Sequence, residues 1–227
     1  LVYAADQLVD GRFELFSTPM RGKRSAHESP GTGSTGRFRL NLLSGVQTGT
    51  PRVFIESPGR FALFRQTDGR LFRGALDGRT PTEALANSVL AFHLTADGAG
   101  ALWREQGEKL LHSLLDGSPS VQLNAPRPPV GPAQSNLSTF EVDATNTWAL
   151  WVADETVEQQ FELFVRRLDL SAPPAVLSGP FIADGDVALD STEVKPSFRF
   201  ATAAGRAVYI ADQDENSVLE LYSVALP

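Results

Sequence analysis

The sequence predicts an all-β fold, a β-propeller built from four-stranded antiparallel blades, with five blades or as a fragment of a larger propeller. Three observations lead to this prediction. A weak motif recurs five times along the 227 residues, short apolar runs alternate with Gly, Pro and Asp turns, and no segment keeps a helical period. Repeats of a few dozen residues are typical of supersecondary units that bury their faces only by packing on one another.

The first half of the motif is a small or aliphatic residue, an aliphatic residue and an aromatic residue in succession. Its copies are Ala62-Leu63-Phe64, Ala101-Leu102-Trp103, Ala149-Leu150-Trp151, Ala207-Val208-Tyr209 and a truncated Leu1-Val2-Tyr3. The second half begins with leucine followed by an aromatic residue or a second leucine, as in Leu15-Phe16, Leu71-Phe72, Leu110-Leu111, Leu163-Phe164 and Leu221-Tyr222. Period-two alternation of this kind predicts short strands.

Each repeat therefore predicts four strands joined by tight turns. First strands are expected at Val53–Glu56, Phe92–Thr95, Phe140–Asp143 and Phe198–Ala201, and fourth strands are expected to end at Leu43-Ser44, Leu85-Ala86, Leu123-Asn124 and Leu177-Ser178. The five units span roughly 1–45, 46–88, 89–125, 126–180 and 181–227 of a single propeller domain. The first unit lacks its innermost strand and the last stops after its third, which leaves open whether five blades close a ring or more blades follow.

Several stretches resemble the repeats of TolB-type, WD-repeat-like propellers. They are residues 57–64 (SPGRFALF), 95–98 (TADG), 209–213 (YIADQ) and 219–222 (LELY). The resemblance covers nearly the whole chain as repeats and implies a scaffold or binding role. It also implies work in a bacterial cell envelope, so a periplasmic or secreted location is expected. Thr145-Asn146 and Ala203-Ala204-Gly205 depart from the Pro-Asp-Gly turn of such repeats.

Composition excludes several classes of function. The chain has no cysteine, which removes disulfides, thiolate catalysis and zinc–thiolate sites. A formal net charge of −7 argues against nucleic-acid binding, which depends on clustered Lys and Arg. No run approaches the ~18 apolar residues of a membrane span. No cofactor is predicted.

The order of strands predicts which loops share a side of the propeller. Acidic residues dominate the loops between second and third strands and between blades: Asp6, Asp10, Asp154, Glu155, Glu158, Asp184, Asp186, Asp190, Glu193, Asp212, Asp214 and Glu215. Arg21, Lys23, Arg24, Arg60, Arg79 and Arg206 belong to the opposite loops. We expect a basic protein or peptide partner on the acidic loops, with Asp6, Asp10, Asp154, Asp212, Asp214 and Glu215 as binding residues. Calcium is a weaker expectation there, because neither Asp6–Asp10 nor Asp212–Asn216 has EF-hand spacing, and no metal site is assigned.

Alignment of the first strands places five polar residues where a central channel would lie. They are Glu56, His93, Glu141, Asp143 and Arg199. This set could bind a small ligand, or it could form ion pairs between blades. Glu56 with Glu141 or Asp143 is the carboxylate pair to test for glycoside hydrolysis. No Gly-x-Ser-x-Gly elbow is present, and no catalytic residue is assigned.

Trp103 and Trp151 occupy the repeated aromatic position, which predicts blade core, whereas Trp148 could be core or could stack a sugar. Long insertions are expected at residues 22–36, 126–138 and 179–196.

Three functions remain open: a non-enzymatic binding scaffold with an acidic face, a ligand receptor or hydrolase- or lyase-type enzyme at the channel, and a structural segment of a larger surface or filament protein. The first is preferred.

Overall fold

The computed structural model describes two compact units, residues 1–90 and 91–227. In the first part of the chain it describes only the backbone of residues 2–5, 14–17, 38–39 and 54–55. Backbone and side chains are described for residues 61–66, 68–76, 81–107, 109–124, 137–189 and 197–227. Within these residues, no helix is long and apolar enough to cross a membrane.

The described strands form five antiparallel sheets in which neighbours in sequence are neighbours in space. Sheet 1 is β1 (Val2–Ala5), β2 (Glu14–Ser17) and β3 (Phe38–Arg39), and sheet 2 is β4 (Phe54–Ile55), β5 (Phe61–Arg65), β6 (Leu71–Ala75) and β7 (Glu83–Ala86). Sheet 3 is β8 (Val89–Leu94), β9 (Gly100–Glu105), β10 (Lys109–Leu114) and β11 (Val121–Gln122). Sheet 4 is β12 (Leu137–Val142), β13 (Trp148–Val157), β14 (Gln160–Arg167) and β15 (Ala175–Val176), and sheet 5 is β16 (Phe198–Ala201), β17 (Arg206–Ala211) and β18 (Glu220–Ala225). The predicted four-stranded antiparallel meander is confirmed, and sheets 1 and 5 have three described strands each.

The second strand of sheet 4 is buried on both faces. Ala149, Trp151 and Ala153 point into a core shared with sheet 3. Leu150 and Val152 point into a core shared with sheet 5. Because successive side chains of a strand alternate in direction, a strand covered on both sides must be apolar without interruption. The repeated triplet is therefore the sequence of a strand held between two neighbouring sheets.

The two halves of the motif meet as a cross-strand pair. Register places the aromatic residue of each triplet opposite the second residue of the leucine-led half: Tyr3 with Phe16, Phe64 with Phe72, Trp103 with Leu111, Trp151 with Phe164, and Tyr209 with Tyr222. In sheets 2, 4 and 5 both members of the pair are aromatic. Their rings are stacked, with centroids 5.6, 5.7 and 5.4 Å apart. Facing aromatic pairs add to the stability of a sheet beyond simple burial.

The turns from first to second strands in sheets 3, 4 and 5 share one left-handed residue. Gly98, Asn146 and Gly205 have φ values of 65°, 57° and 62° at equivalent places. The N–H of each donates to the carbonyl three residues earlier, at 2.8, 3.0 and 3.0 Å. Asn tolerates this conformation better than most residues that carry a Cβ. The turns of sheets 4 and 5, whose sequences differ from Pro-Asp-Gly, thus keep the same backbone conformation and hydrogen bond as the turn of sheet 3.

The leucine and polar residue that end a predicted fourth strand complete the sheet. Leu123 N–H donates to the carbonyl of Leu110 at 2.8 Å. The Oδ1 atom of Asn124 then accepts the N–H of Leu110 at 2.9 Å, so a side chain supplies the acceptor that a backbone carbonyl would otherwise provide. In sheet 4 the hydroxyl of Ser178 accepts the N–H of Leu163 at 3.1 Å in the same way.

Replacement of Trp151 by alanine should destabilise the protein strongly. The side chain is fully buried between two sheets, and its Nε1–H donates to Glu155 at 2.9 Å. Loss of such a side chain costs about 3–5 kcal/mol. The change is measured as a shift of the free energy of unfolding in denaturant. Val176→Ala, at an exposed position of β15, serves as the control and should change stability by less than about 0.5 kcal/mol.

Candidate functional site

The first strands carry three of the five predicted channel residues. His93 lies on β8, Glu141 on β12 and Arg199 on β16. The structure brings Glu141 and Arg199 together, with Arg199 Nη1 3.4 Å from Glu141 Oε1. His93 instead packs edge-on against the ring of Phe140, at 5.0 Å between centroids. Glu56 lies outside the described residues.

The Glu141 carboxyl is held in a partly apolar place between sheets 4 and 5. Burial raises its pKa, and the positive charge and hydrogen bond of Arg199 oppose the rise. Its Oε2 atom is buried and has no hydrogen-bond partner among the described residues. The pair thus links neighbouring sheets and leaves one acceptor unused.

Asp143 has a structural task in the turn that follows β12. Its Oδ1 atom accepts the N–H groups of Thr147 and Trp148, both at 2.7 Å. Its Oδ2 atom accepts the N–H and hydroxyl of Thr145. Both oxygens of the Asp143 carboxylate are therefore used to stabilise the turn. Asp143 does not form a shared polar site with Glu141 and Arg199.

Four of the acidic residues predicted for the loops, Asp154, Asp184, Asp186 and Asp212, lie near one another within residues 91–227. We call Asp154, Asp184, Asp186, Asp212, Asp214 and Glu215 the acidic loop surface. Asp154 was predicted to lie in a loop but lies within β13 and is only 7% exposed, so it borders this surface from below. Burial raises the pKa of Asp186; a hydrogen bond from the N–H of Phe161 opposes this, and the charges of Asp212, Asp184 and Asp154 raise the pKa further. Mutual repulsion at this range requires the carboxylates to be near neighbours.

Two of these carboxylates also fasten the loops that carry them. Asp212 accepts the N–H groups of Asp186 at 2.6 Å and Ser217 at 2.9 Å, and the first of these bonds is the main reason that its pKa is lowered. Asp186 accepts the N–H of Phe161 at 2.6 Å. Among the described residues, no group of three or more His, Asp or Glu is arranged to hold a metal ion. Asp6 and Asp10 lie outside the described residues.

The connection after residue 178, predicted as a long insertion, packs closely as far as residue 189. Val187 is fully buried in the core between sheets 4 and 5 and forms a bridge with Ala211. Ile182 N–H donates to the carbonyl of Gln213 at 3.3 Å. This segment is part of the framework of the acidic loop surface. The predicted insertions at 22–36 and most of 126–138 lie outside the described residues.

A cleft of about 490 Å³ opens on the opposite set of loops, between sheets 3 and 4. We call it the turn-side cleft. Its polar lining residues include Thr95, Asp97, His112, Asn146 and Asp169, and its apolar lining residues include Leu114, Pro119, Val121, Leu168 and Leu170. Sequence reasoning placed His112 on a third strand but did not connect it with this cleft. The usable signal was the TADG turn, whose Asp97 lines the same cleft as His112 and acts on its charge.

The three tryptophans divide as the repeat predicts. Trp103 and Trp151 are buried core residues, which confirms that prediction. Trp148 is half-buried, and the guanidinium of Arg167 lies over its ring at 5.2 Å from the centroid. Its stacking surface is therefore occupied by a neighbouring side chain on that face.

Comparison with known proteins agrees with this architecture. No protein-family model matches the sequence, and no curated protein matches it. The chain is similar to the β-propeller domain of Myceliophteria thermophila Cps50 (Swd1), at 14% identity and a TM-score of 0.50, over 94% of this chain and 64% of that one. It is also similar to the N-terminal domain of Nup159 (13% identity, TM-score 0.40, over 77% and 44%) and to the tricorn protease (12%, 0.42, over 97% and 28%).

The likeness to the Cps50 domain, together with the four-stranded antiparallel sheets, identifies the fold as a β-propeller. The chain spans about two thirds of that domain's length. At this level of identity the similarity establishes the fold, and function must be argued from the sites.

Replacement of Arg199 by methionine should destabilise the protein in a pH-dependent way. Because the pKa of Glu141 is raised, the folded state holds a proton that the unfolded state releases. The contribution of Glu141 to stability is therefore fully present below its pKa in the unfolded chain, and it is lost as the pH rises through its higher pKa in the folded protein. Arg199→Met removes the opposing charge, so its cost should be larger at about pH 7.5 than at about pH 4.

The cost at neutral pH should be at most about 1 kcal/mol, since Arg199 is more than half exposed and water screens the pair. Denaturant unfolding at both pH values measures it. In a Glu141→Gln background the pH dependence of the Arg199→Met effect should disappear, and its persistence there would contradict this account.

Proposed function

We propose that this chain is a non-enzymatic binding module whose acidic loop surface engages a basic segment of a protein or peptide partner. The observation that carries the proposal is the close approach of Asp186 and Asp212, where the N–H of Asp186 donates to Asp212 Oδ1 at 2.6 Å, with Asp184 two residues away. The charges of Asp212, Asp184 and Asp154 raise the pKa of Asp186 accordingly. Within the described residues, none of Asp184, Asp186 and Asp212 takes part in an ion pair. Carboxylates crowded without a counter-charge lower their repulsion when a cationic partner binds.

Exposed apolar side chains border these carboxylates and support a peptide-like partner. Ile182 is 38% exposed, Val218 41% and Leu219 61%. Ile182 lies beside Gln213 through a backbone hydrogen bond, and Val218 N–H donates to the carbonyl of Glu215 at 3.1 Å. A surface that combines negative charge with apolar contacts suits a basic segment with interspersed apolar residues.

The proposal is one of binding without catalysis or a cofactor. Asp143 is committed to its turn, and Glu141 is paired with Arg199. The hydroxyl of Ser113 donates to the carbonyls of Leu114 and Ser118, both at 2.9 Å, so it is not held by the neighbouring His112. These arrangements support a scaffold role more than acid–base or nucleophilic chemistry. The sequence resemblance to TolB-type propellers supports a periplasmic or secreted setting as part of the proposal.

The unused Oε2 atom of Glu141 favours small-ligand binding at the first strands as a second candidate function. A ligand with a hydrogen-bond donor would meet that acceptor beside Arg199. Fragments with such donors should perturb the carboxyl resonance of Glu141 in NMR spectra. Absence of any such perturbation across ammonium, amide and hydroxyl fragments would count against this candidate.

Removal of charge from the acidic loop surface should weaken binding of a cationic peptide. The test variant is Asp184→Asn, Asp214→Asn and Glu215→Gln, which spares the carboxylates of Asp186 and Asp212 that fasten the loops. The probe is a fluorescein-labelled peptide of alternating lysine and leucine, followed by fluorescence anisotropy. Affinity should fall roughly fivefold at low salt, the size expected for exposed charge pairs, and its salt dependence should become shallower.

A matched control variant, Asp68→Asn, Glu83→Gln and Asp116→Asn, removes the same charge elsewhere. It should bind the peptide as the unaltered protein does. Equal weakening by both variants would mean that the peptide responds to net charge and not to this surface, and the proposed site would be wrong.

A further inference from the structure

The turn-side cleft has one apolar wall that is open to solvent. Leu114, at the end of β10, is 46% exposed although it lines a concave surface. Leu168 is buried, and Val121 and Leu170 are half-buried on the same cleft. An open apolar wall within a concave site is the usual place for the hydrocarbon part of a ligand.

Asp97 and His112 also line the cleft. Partial burial of Asp97 acts to raise its pKa, but hydrogen bonds from the Thr95 hydroxyl at 2.6 Å and the Ala99 N–H at 3.0 Å outweigh it and hold the pKa below the usual range. Asp97 is therefore ionised at neutral pH. It forms no ion pair with any Arg or Lys among the described residues.

His112 is only 7% exposed, yet its ring makes no hydrogen bond with the described residues. Burial lowers its pKa, which the charge of Asp97 opposes, so the ring is neutral and offers one nitrogen as an acceptor. Position 100 must be glycine for the ring to lie here, because a Cβ there would lie only 3.0 Å from His112 Nε2 and 3.1 Å from Thr95 Cγ2. A ring nitrogen on the lining of the cleft can accept a hydrogen bond from a ligand.

The lining of the cleft limits the chemistry of that partner. None of the described residues that line it is Lys or Arg, so an anionic group would meet no counter-charge from them. The other lining carboxylate, Asp169, is already paired with Arg167 at 2.9 Å. The described part of the lining also holds no Phe, Tyr or Trp that could stack on a sugar ring. The Oδ1 atom of Asp97 is engaged by its own turn, which disfavours the two-pronged contact that a guanidinium makes and suits a compact ammonium.

We propose that the turn-side cleft binds a primary ammonium group on an aliphatic stem, with the ammonium between Asp97 and His112 and the stem against Leu114, Leu168 and Leu170. The group could belong to a free alkylamine or to a lysine side chain, whose four-carbon stem packs on apolar surface while its charge meets a carboxylate. This site lies on the loops opposite the acidic loop surface and does not depend on it.

The test is NMR titration of the intact chain with 1-aminopentane, observed at the His112 ring and at the methyl groups of Leu114 and Leu168. Pentan-1-ol is the uncharged control of the same length. Nα-acetyl-lysine methylamide and Nα-acetyl-norleucine methylamide form a second pair that represents a protein side chain. We expect both amines to shift these resonances with an affinity at least tenfold greater than their neutral counterparts. A response to 1-aminopentane alone would assign the site to small amines.

Asp97→Asn keeps an oxygen for the turn but removes the charge, and it should reduce amine affinity at least tenfold. Asp116→Asn, in a neighbouring turn outside the cleft, should leave it unchanged. Should Asp97→Asn fail to fold, Leu114→Arg places a fixed cation at an exposed position and should abolish amine binding. Equal shifts by amine and alcohol, unaltered binding by both cleft variants, or no response to any amine would each overturn the proposal.

Discussion

Burial of one strand on both faces is the constraint on which the second unit of this protein depends. Because β13 lies between two cores, each side chain from Ala149 to Ala153 must be apolar and of a size that both neighbouring sheets accept. The stacked pair of Trp151 and Phe164 fixes the register of that strand against its neighbour. A one-residue slip would exchange the residues of the two cores, so this pairing aligns three sheets at once.

The same constraint decides where polar chemistry can occur. With the faces of sheet 4 filled, ionisable groups are left to the ends of strands, the first strands and the turns. Asp143 and Asp212 illustrate the result, since both carboxylates close loops through backbone N–H groups. Groups that are not used in this way, such as Asp184 and His112, are the ones from which binding can be argued. The binding sites proposed for this fold therefore use polar side chains that are not needed to close a turn.

The sequence predicted the repeat, the four strands and the core positions of Trp103 and Trp151, because each follows from local alternation and from spacing within one repeat. For the five polar residues of the first strands it left open ion pairs between blades, without naming a pair, and in the structure Glu141 and Arg199 form one. It did not predict the turn-side cleft, which is formed where turns from two sheets approach each other. Asn146, for example, accepts the N–H of Ala96 from the neighbouring sheet at 2.6 Å, a contact across fifty residues that no local pattern encodes.

The side-chain acceptors that close the fourth strands also bear on how such a chain can change. Asn124 and Ser178 complete the hydrogen bonding of their sheets at the last residue before each connection begins. The sheet is then finished before the chain leaves it, and the length of the following connection no longer affects strand pairing. Segments of different length and composition can therefore be exchanged at these two points during evolution, while the blades on either side keep their register.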